Sequence, residues 1–417
     1  MGKIKLALHW QMAIALILGV LFGLLFSESY SIWNNAINCI KNIFLHAINM
    51  IVIPLVFLST VLGISTISDS KSMGRVAAKT FLYFILTSVI AAFVGVIVTN
   101  ALRPGYGAHI VDIDAGDILK TAEESESFTF MDKIANIIPN NIFEVFSSGD
   151  ILPIIFFSIL LGFFITKIQI DKQNTINNIF ESFNDAIMKM TNFIIRFAPL
   201  GIFAIVMVLI GKQAGDISAL KECFKNFAFF VIVVWISLMV MGGIVLPIMV
   251  GLMAEVSPIR HLKQIYSALM VAFSTSSSYS ALPLIISDAK DKMGVSNNIA
   301  SFTVPLGITF NKIGTIVYEC VAVVFVAQAV GVDLTAAQQM SLIGVSIVMV
   351  LGAPSVPMAG VITLAMLLKS MDLPTDFIGM FMAIDILCDM PKTLLNAYSV
   401  SCSAIIVARS EGEMLKI

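Results

Sequence analysis

Between Lys225 and Glu255 the chain carries no charged residue. That run exceeds the ~20 apolar residues with which a helix crosses the hydrocarbon core of a bilayer, so the chain must be read as a membrane protein. Its bulk composition agrees: 58% of residues are hydrophobic and 12% charged, against about 25% charged in a soluble domain. Uncharged or sparsely charged spans lie at about 11–27, 43–66, 80–101, 151–166, 187–211 and 227–254. In lipid every backbone polar group needs a partner, and no ten-residue alternation suggests a barrel, so the spans are predicted to be helices. The expected fold class is an all-α polytopic membrane protein, multi-pass in the cell (cytoplasmic) membrane, with the lipid bilayer as its first partner.

Several other classes are excluded. A net charge of -2 without a basic block gives nucleic acid no purchase. Cys39, Cys223, Cys320, Cys388 and Cys402 are scattered without metal-ligand spacing, so neither a metal site nor a disulfide framework is expected, and no cofactor is. Residues Met1 to Lys5 and the apolar stretch after them resemble a signal peptide, but no small-residue cleavage site follows and an uncleaved first helix is the better reading. Pro54, Pro199 and Pro247 fall inside three spans and are expected to kink them.

Loop charges set the expected orientation. Lys3 and Lys5 precede the first span and Lys71, Arg75 and Lys79 follow the second, whereas the loop 28–42 holds only Glu28 and Lys41. The N-terminus is therefore predicted to be cytoplasmic, and the C-terminus with it. The acidic segment 102–150 would lie outside. Two apolar segments are interrupted, one by Ser274-Thr-Ser-Ser-Ser278 and one by Gly352-Ala-Pro-Ser-Val-Pro357. Arg260, His261, Lys263, Lys290 and Lys292 flank the first on the cytoplasmic side, while Asp333, Lys369, Asp372 and Asp376 bracket the second on the other. Both read as re-entrant hairpins, at 258–292 and 335–373, each followed by a span, at 298–331 and 376–409. The two units have inverted topologies, an arrangement that builds a substrate site where the broken tips meet near the midplane.

The last span carries the chemistry. Asp385, Asp389, Lys392, Thr393, Asn396 and Val400 share one face of a helix at 3.6 residues per turn. At ~2.5–3.5 kcal/mol per central charge, three charges on one membrane helix require a function or an internal ion-pair network. Asp389 and Lys392, three residues apart, can pair in part with each other and still suit a ligand bearing both ammonium and carboxylate. The serine run adds hydroxyls and free backbone donors at a helix break, which suit a carboxylate. A hydrolase with Ser277 or Ser278 as nucleophile and a lysine base is the enzymatic reading. Without a GxSxG elbow, and with His9, His46 and His109 far from this region and His261 only at its edge, it does not hold.

Four ordered motifs now carry a resemblance: Ser276-Ser-Ser278, Pro305-Leu-Gly-Ile-Thr-Phe-Asn-Lys-Ile-Gly-Thr315, Val356-Pro-Met-Ala-Gly360 and Asp389-Met-Pro-Lys-Thr-Leu-Leu-Asn396. Together they look like the glutamate transporter family, the dicarboxylate/amino acid:cation symporters, over essentially the whole chain. The resemblance implies eight transmembrane helices with two oppositely oriented re-entrant hairpins. It also implies a homotrimer working as an elevator, in which a scaffold (1–76 and 102–225) supports a transport domain (77–101 and 226–417). It assigns substrate binding to Ser276, Ser277, Ser278, Thr315, Val356, Gly360, Asp389, Lys392, Thr393 and Asn396, with Asp389 taking the substrate amino group and Val356 and Gly360 in the outer gate. Lys392 stands where acidic-substrate members have arginine, keeping the charge without the bidentate fork. The expected cargo is aspartate or glutamate, with a neutral amino acid or a C4-dicarboxylate as the alternative; an anion channel or receptor is the reading from another class.

Departures from the family pattern are as informative. Where the family has an aspartate after Asn-Met, this chain reads Asn311-Lys312-Ile313; a second aspartate position is Val400, and a tyrosine position is Phe84. Thr87, Ser88, Thr309, Asn311 and Asp385 remain as polar groups around the cation and coupling region. Sodium is not expected at the usual aspartate sites, because a cation in a low-dielectric site needs compensating negative charge. The ammonium of Lys312 is expected to stand in for it; Asp389, Lys392, Lys312 and an acidic amino acid of net charge -1 then sum to zero. Pairing of Lys312 with Asp385 or Glu319 is the structural alternative. Glu319, after Tyr318, resembles the position that carries a proton in some members, so uncoupled and proton-coupled transport both stay open.

Overall fold

The structure is a computed structural model, and it describes residues 8–25, 30–65, 71–106, 138–148, 151–213, 217–352 and 359–416. Among the described residues all regular secondary structure is helical. The first part of the chain forms α1 (Leu8–Leu25), α2 (Tyr30–Ser65), α3 (Lys71–Leu102), α4 (Ile142–Ser148), α5 (Ile151–Ile165), α6 (Ile170–Ile195) and α7 (Ala198–Gln213). The second forms α8 (Ile217–Val240), α9 (Pro258–Thr275), α10 (Ser278–Ser287), α11 (Asn297–Phe310), α12 (Ile313–Ala329), α13 (Ala336–Gly352), α14 (Ala359–Ser370) and α15 (Ile378–Ser410).

Several expectations are corrected. Tyr30 onward, expected as loop, already belongs to α2. The span expected at 187–211 is two helices meeting at a turn at Arg196–Phe197, so Pro199 sits in the first turn of α7, where its missing N–H costs nothing. Around Pro247 the chain does deviate: α8 runs on through π-helical turns at Met241–Val245 and Val250–Ala254, which widen the backbone on either side of the proline. α2 passes through Pro54 and α15 through Pro391 without a break. The single span expected at 298–331 is two helices, α11 and α12, separated by Asn311 and Lys312.

Among the described residues, Arg75–Leu102, Lys225–Ala254 and Asn297–Ala329 are long and apolar enough to cross a membrane, with shorter apolar helices at Ile14–Leu25, Pro153–Ile165, Ala198–Val208 and Ala336–Val350. α12 is apolar on nearly every face, and nearly every residue from Ile313 to Gln328 is buried. Such a helix must be surrounded. Its neighbours are α3, α8, α13, α14 and α15. α1, α2, α5, α6 and α7 pack chiefly on one another, and α3 with α8–α15 form a second set, joined to the first where α13 meets α5 and α2, α15 meets α7 and α1, α8 meets α7 and α14 meets α2.

The base of the α9–α10 pair and the start of α13 lie at opposite ends of α3, whose 32 residues make it about 48 Å long at 1.5 Å per residue. At its N-terminal end Arg75 and Lys79 both bind Glu411 just beyond α15, at 2.7 and 2.6 Å. There too lies the base of the α9–α10 hairpin: Glu413 accepts a hydrogen bond from Ser296 N at 2.9 Å, and Lys416 N donates to Met293 O at 2.9 Å. At the other end Asn100 Nδ2 donates to Gln339 Oε1 at 3.0 Å and Tyr106 to Asp333, beside the start of α13.

Candidate functional site

Two helix interruptions and the polar stripe of α15 converge on one buried cluster. α11 ends at Phe310 because Asn311 and Lys312 leave the helical region, with φ/ψ of -95/76 and -106/55, and α12 restarts with Lys312 as its N-cap. This break frees backbone donors at the start of α12, as every helix N-terminus does. Asn396 Oδ1 of α15 accepts one of them, from Gly314 N at 2.7 Å. The approach needs glycine: a Cβ on Gly314 would lie 2.4 Å from Lys392 O and 2.9 Å from Lys392 Cα.

Lys392 is the charge centre. Its Nζ lies 2.5 Å from Asp385 Oδ1 and 3.4 Å from Asp389 Oδ1. It also stands 4.1 Å from the centroid of the Tyr318 ring, within cation–π range. An ammonium has three donors, and one of them is taken by the hydrogen bond to Asp385 Oδ1. Asp385, expected in the coupling group, is thus the counter-ion of Lys392. Asp389 is the more open of the two carboxylates, its side chain 28% exposed. Thr393 is buried on the same face as Asn396, and a Cβ on Gly360 at the start of α14 would meet Lys392 Nζ at 3.4 Å and Thr315 Cγ2 at 3.5 Å. Asp389, Lys392, Thr315, Asn396 and Gly360 are therefore brought together. Val356 lies outside the described residues.

Ser276, Ser277 and Ser278 form the turn of the α9–α10 hairpin, with Ser276 in the left-handed region at φ 49 and Ser277 capping α10 through Ser280 N at 3.4 Å. Among the described residues their hydroxyls make no hydrogen bond to α15; the tip reaches α11 through Tyr279 Oη and Thr309 Oγ1, 3.4 Å apart.

The residues expected around the cation region separate by chemistry. Asn311 is bound on both sides, its Oδ1 accepting from Thr87 Oγ1 at 3.3 Å and its Nδ2 donating to Ser399 Oγ at 2.8 Å. Ser88 is buried, and its hydroxyl has no hydrogen-bond partner among the described residues. Ile313, Val400 and Phe84 are all fully buried. A Cβ on Gly307 would lie 3.0 Å from both Val400 methyls and 3.3 Å from Phe84 Cζ, so these side chains fill the space beside α11. Lys312 is 8% exposed. Glu319 accepts a hydrogen bond from Thr363 through Oε1, while its Oε2 has none among the described residues. Ser399, Thr363 and Gly314 were not singled out from the sequence; only the Gly314 position, inside a quoted motif, carried a signal.

With this geometry in view, the chain matches the family model described as the sodium:dicarboxylate symporter family over residues 8–410. It belongs to that family, and it is a membrane transporter rather than an enzyme. It is 33% identical over 417 residues to the proton/sodium-glutamate symport protein of Bacillus caldotenax, covering 98% of this chain and 96% of that one. It is 31% identical to the proton/glutamate-aspartate symporter of Escherichia coli strain K12, covering 99% and 94%. It is 29% identical to the C4-dicarboxylate transport protein of Laribacter hongkongensis, covering 99% and 91%.

Proposed function

We propose that this chain carries acidic amino acids, aspartate or glutamate, across the cytoplasmic membrane without sodium coupling. The observation that carries the reading is the pairing of a buried cation, Lys312 at the α11–α12 break, with apolar filling at Ile313, Val400 and Phe84. A dehydrated sodium ion needs several oxygens and negative charge; those three side chains supply neither, and Lys312 brings a buried ammonium next in sequence to Ile313. Amino-acid cargo is favoured over a plain dicarboxylate by Asp389, an accessible carboxylate suited to a substrate ammonium and 3.4 Å from a cation suited to a carboxylate. Two of the relatives above carry glutamate in their names, one of them aspartate as well.

In this reading the α9–α10 and α13–α14 pairs are re-entrant hairpins entering from the cytoplasmic and outer sides. The set of α3 and α8–α15 moves as an elevator against the set of α1, α2 and α5–α7. The exposed apolar side chains of Ile179, Phe183, Met190 and Phe193 on α6, Phe197 in the turn and Leu200 on α7 support a homotrimer built on that scaffold. Uncoupled and proton-coupled carriage divide on Glu319. The deciding experiment is uptake of labelled L-aspartate into proteoliposomes with and without sodium. Uptake independent of sodium, with exchange against internal aspartate, is the expected result. A steep rise with sodium would overturn the reading, as would flux without exchange, which is channel behaviour.

A further inference from the structure

At the end of α3 far from Glu411, a cavity of about 160 Å³ opens between α3, the C-terminal end of α12 and the start of α13. Drug-sized sites begin near ~300 Å³, so this one suits a small solute. Its floor is apolar, from Val324 and Ala327, and its rim holds two opposite charges, Arg103 and Asp333. They form no ion pair. Tyr106 stands between them: the Arg103 guanidinium lies 5.2 Å from its ring centroid, and its hydroxyl donates to Asp333 Oδ1. The guanidinium makes no hydrogen bond to any described residue, and neither does Asp333 Oδ2. Asn100 donates its Nδ2 to Gln339 Oε1 at 3.0 Å, which leaves its carbonyl oxygen as a further acceptor on the wall. The frame is fixed from behind, since Gly105 N donates to Gln328 Oε1 at 3.1 Å and Arg103 N to Thr99 O at 2.8 Å.

A donor fork and a carboxylate held apart across one small cavity are matched by a molecule with both charges. We propose that this cavity is a second binding site, for a zwitterionic amino acid, with Arg103 taking a carboxylate in bidentate fashion and Asp333 and Asn100 taking the ammonium. The identity of the ligand rests on the reading of the cargo as an acidic amino acid. Both charges lie near solvent, so binding here is weaker than in the buried cluster and screened by salt. Its place beside the start of α13 puts a captured amino acid at one mouth of the transport path.

The test is binding of radiolabelled L-aspartate to the purified full chain in nanodiscs, by equilibrium dialysis at low and high salt, with succinate as competitor. The wild type is expected to bind a second, weaker equivalent that salt removes and succinate displaces poorly. Asp389→Asn should retain that weak equivalent alone; Arg103→Gln should lose it while keeping the tight one; the double variant should bind nothing. A single equivalent in the wild type, abolished by Asp389→Asn, overturns the second site and leaves the cargo reading intact. Equal displacement by succinate overturns the zwitterion assignment. A wild type that binds no aspartate defeats the cargo reading and this site's ligand together.

Discussion

Lys392 Nζ lies 2.5 Å from Asp385 Oδ1, two turns back along α15, and both side chains are almost wholly buried. Removing one partner of such a pair strands the other charge at a cost of ~3–5 kcal/mol, whereas replacing both by neutral groups is often near neutral. Asp385→Asn should therefore lower the unfolding temperature of the solubilised protein far more than Asp389→Asn, whose carboxylate is farther from Lys392 and partly exposed. Asp385→Asn/Lys392→Met should recover most of the loss. A double variant no more stable than Asp385→Asn would show that the pair is not the origin of the effect.

Gly314 and Gly360 both face Lys392 and should respond oppositely to alanine. A methyl on Gly314 meets backbone, 2.4 Å from Lys392 O, so α12 must back away from α15 and the 2.7 Å bond from Gly314 N to Asn396 Oδ1 must stretch. Overpacking of this kind costs ~1–3 kcal/mol or more. A methyl on Gly360 meets only the ends of two side chains, Lys392 Nζ at 3.4 Å and Thr315 Cγ2 at 3.5 Å. Gly314→Ala is expected to lose aspartate binding and Gly360→Ala to retain it within about tenfold, read by titration of the purified variants.

These two cases mark what the sequence exposes. The stripe from Asp385 to Val400 was legible because the 3.6 period is written in residue order, and the α9–α10 turn because consecutive serines interrupt an apolar run. The pairing of Lys392 with Asp385 rather than mainly with Asp389 was not, since contacts seven residues apart depend on how neighbouring helices crowd the side chain, here Tyr318 and Gly360. Nor was the break at Asn311 and Lys312 read from local pattern: Asn297–Ala329 is apolar enough for one span, and only tertiary partners, Thr87, Ser399 and Asn396, repay its lost helical bonds. The first part of α6, ahead of the span expected from residue 187, left no signal, because its charged and amide side chains do not suit burial in lipid.

The clamp on Glu411 gives a pH signature. Hydrogen bonding from Arg75, then from Lys79, holds its carboxyl below the ordinary value of 4.5. A depressed folded value stabilises the clamp above the ordinary value, and that contribution is lost as pH falls through the depressed one. Melting temperatures of wild type and Glu411→Gln should therefore differ at neutral pH and converge in acid, and 0.5 M salt should narrow the neutral-pH gap. A constant difference across pH would mean that Glu411 acts through packing alone.

Lys312 is expected to behave as a tethered cation. If its ammonium compensates the carboxylates around the substrate, Lys312→Met should weaken L-aspartate binding by roughly ten- to hundredfold, the range of about 1.5–3 kcal/mol for a charge-assisted interaction. Added sodium should not restore it, because the side chains of Ile313 and Val400 still offer no oxygen. Rescue by sodium would show that an ion can enter after all.

Glu319 decides between the two modes of carriage. It is fully buried in α12, accepts a hydrogen bond from Thr363 through Oε1, and has no hydrogen-bond partner for Oε2 among the described residues. A carboxyl so placed has one oxygen anchored and one able to take a proton, and it lies in the field of the Lys392 ammonium, which stands over the ring of the adjacent Tyr318. Substrate arrival at Lys392 would alter that field, which links proton uptake to loading. Proton symport requires that aspartate uptake acidify the vesicle lumen, reported by a trapped pH-sensitive dye, and that Glu319→Gln abolish the acidification while sparing exchange. If the wild type moves aspartate with no acidification and Glu319→Gln transports at a similar rate, Glu319 is a fixed structural carboxyl and the carrier is uncoupled.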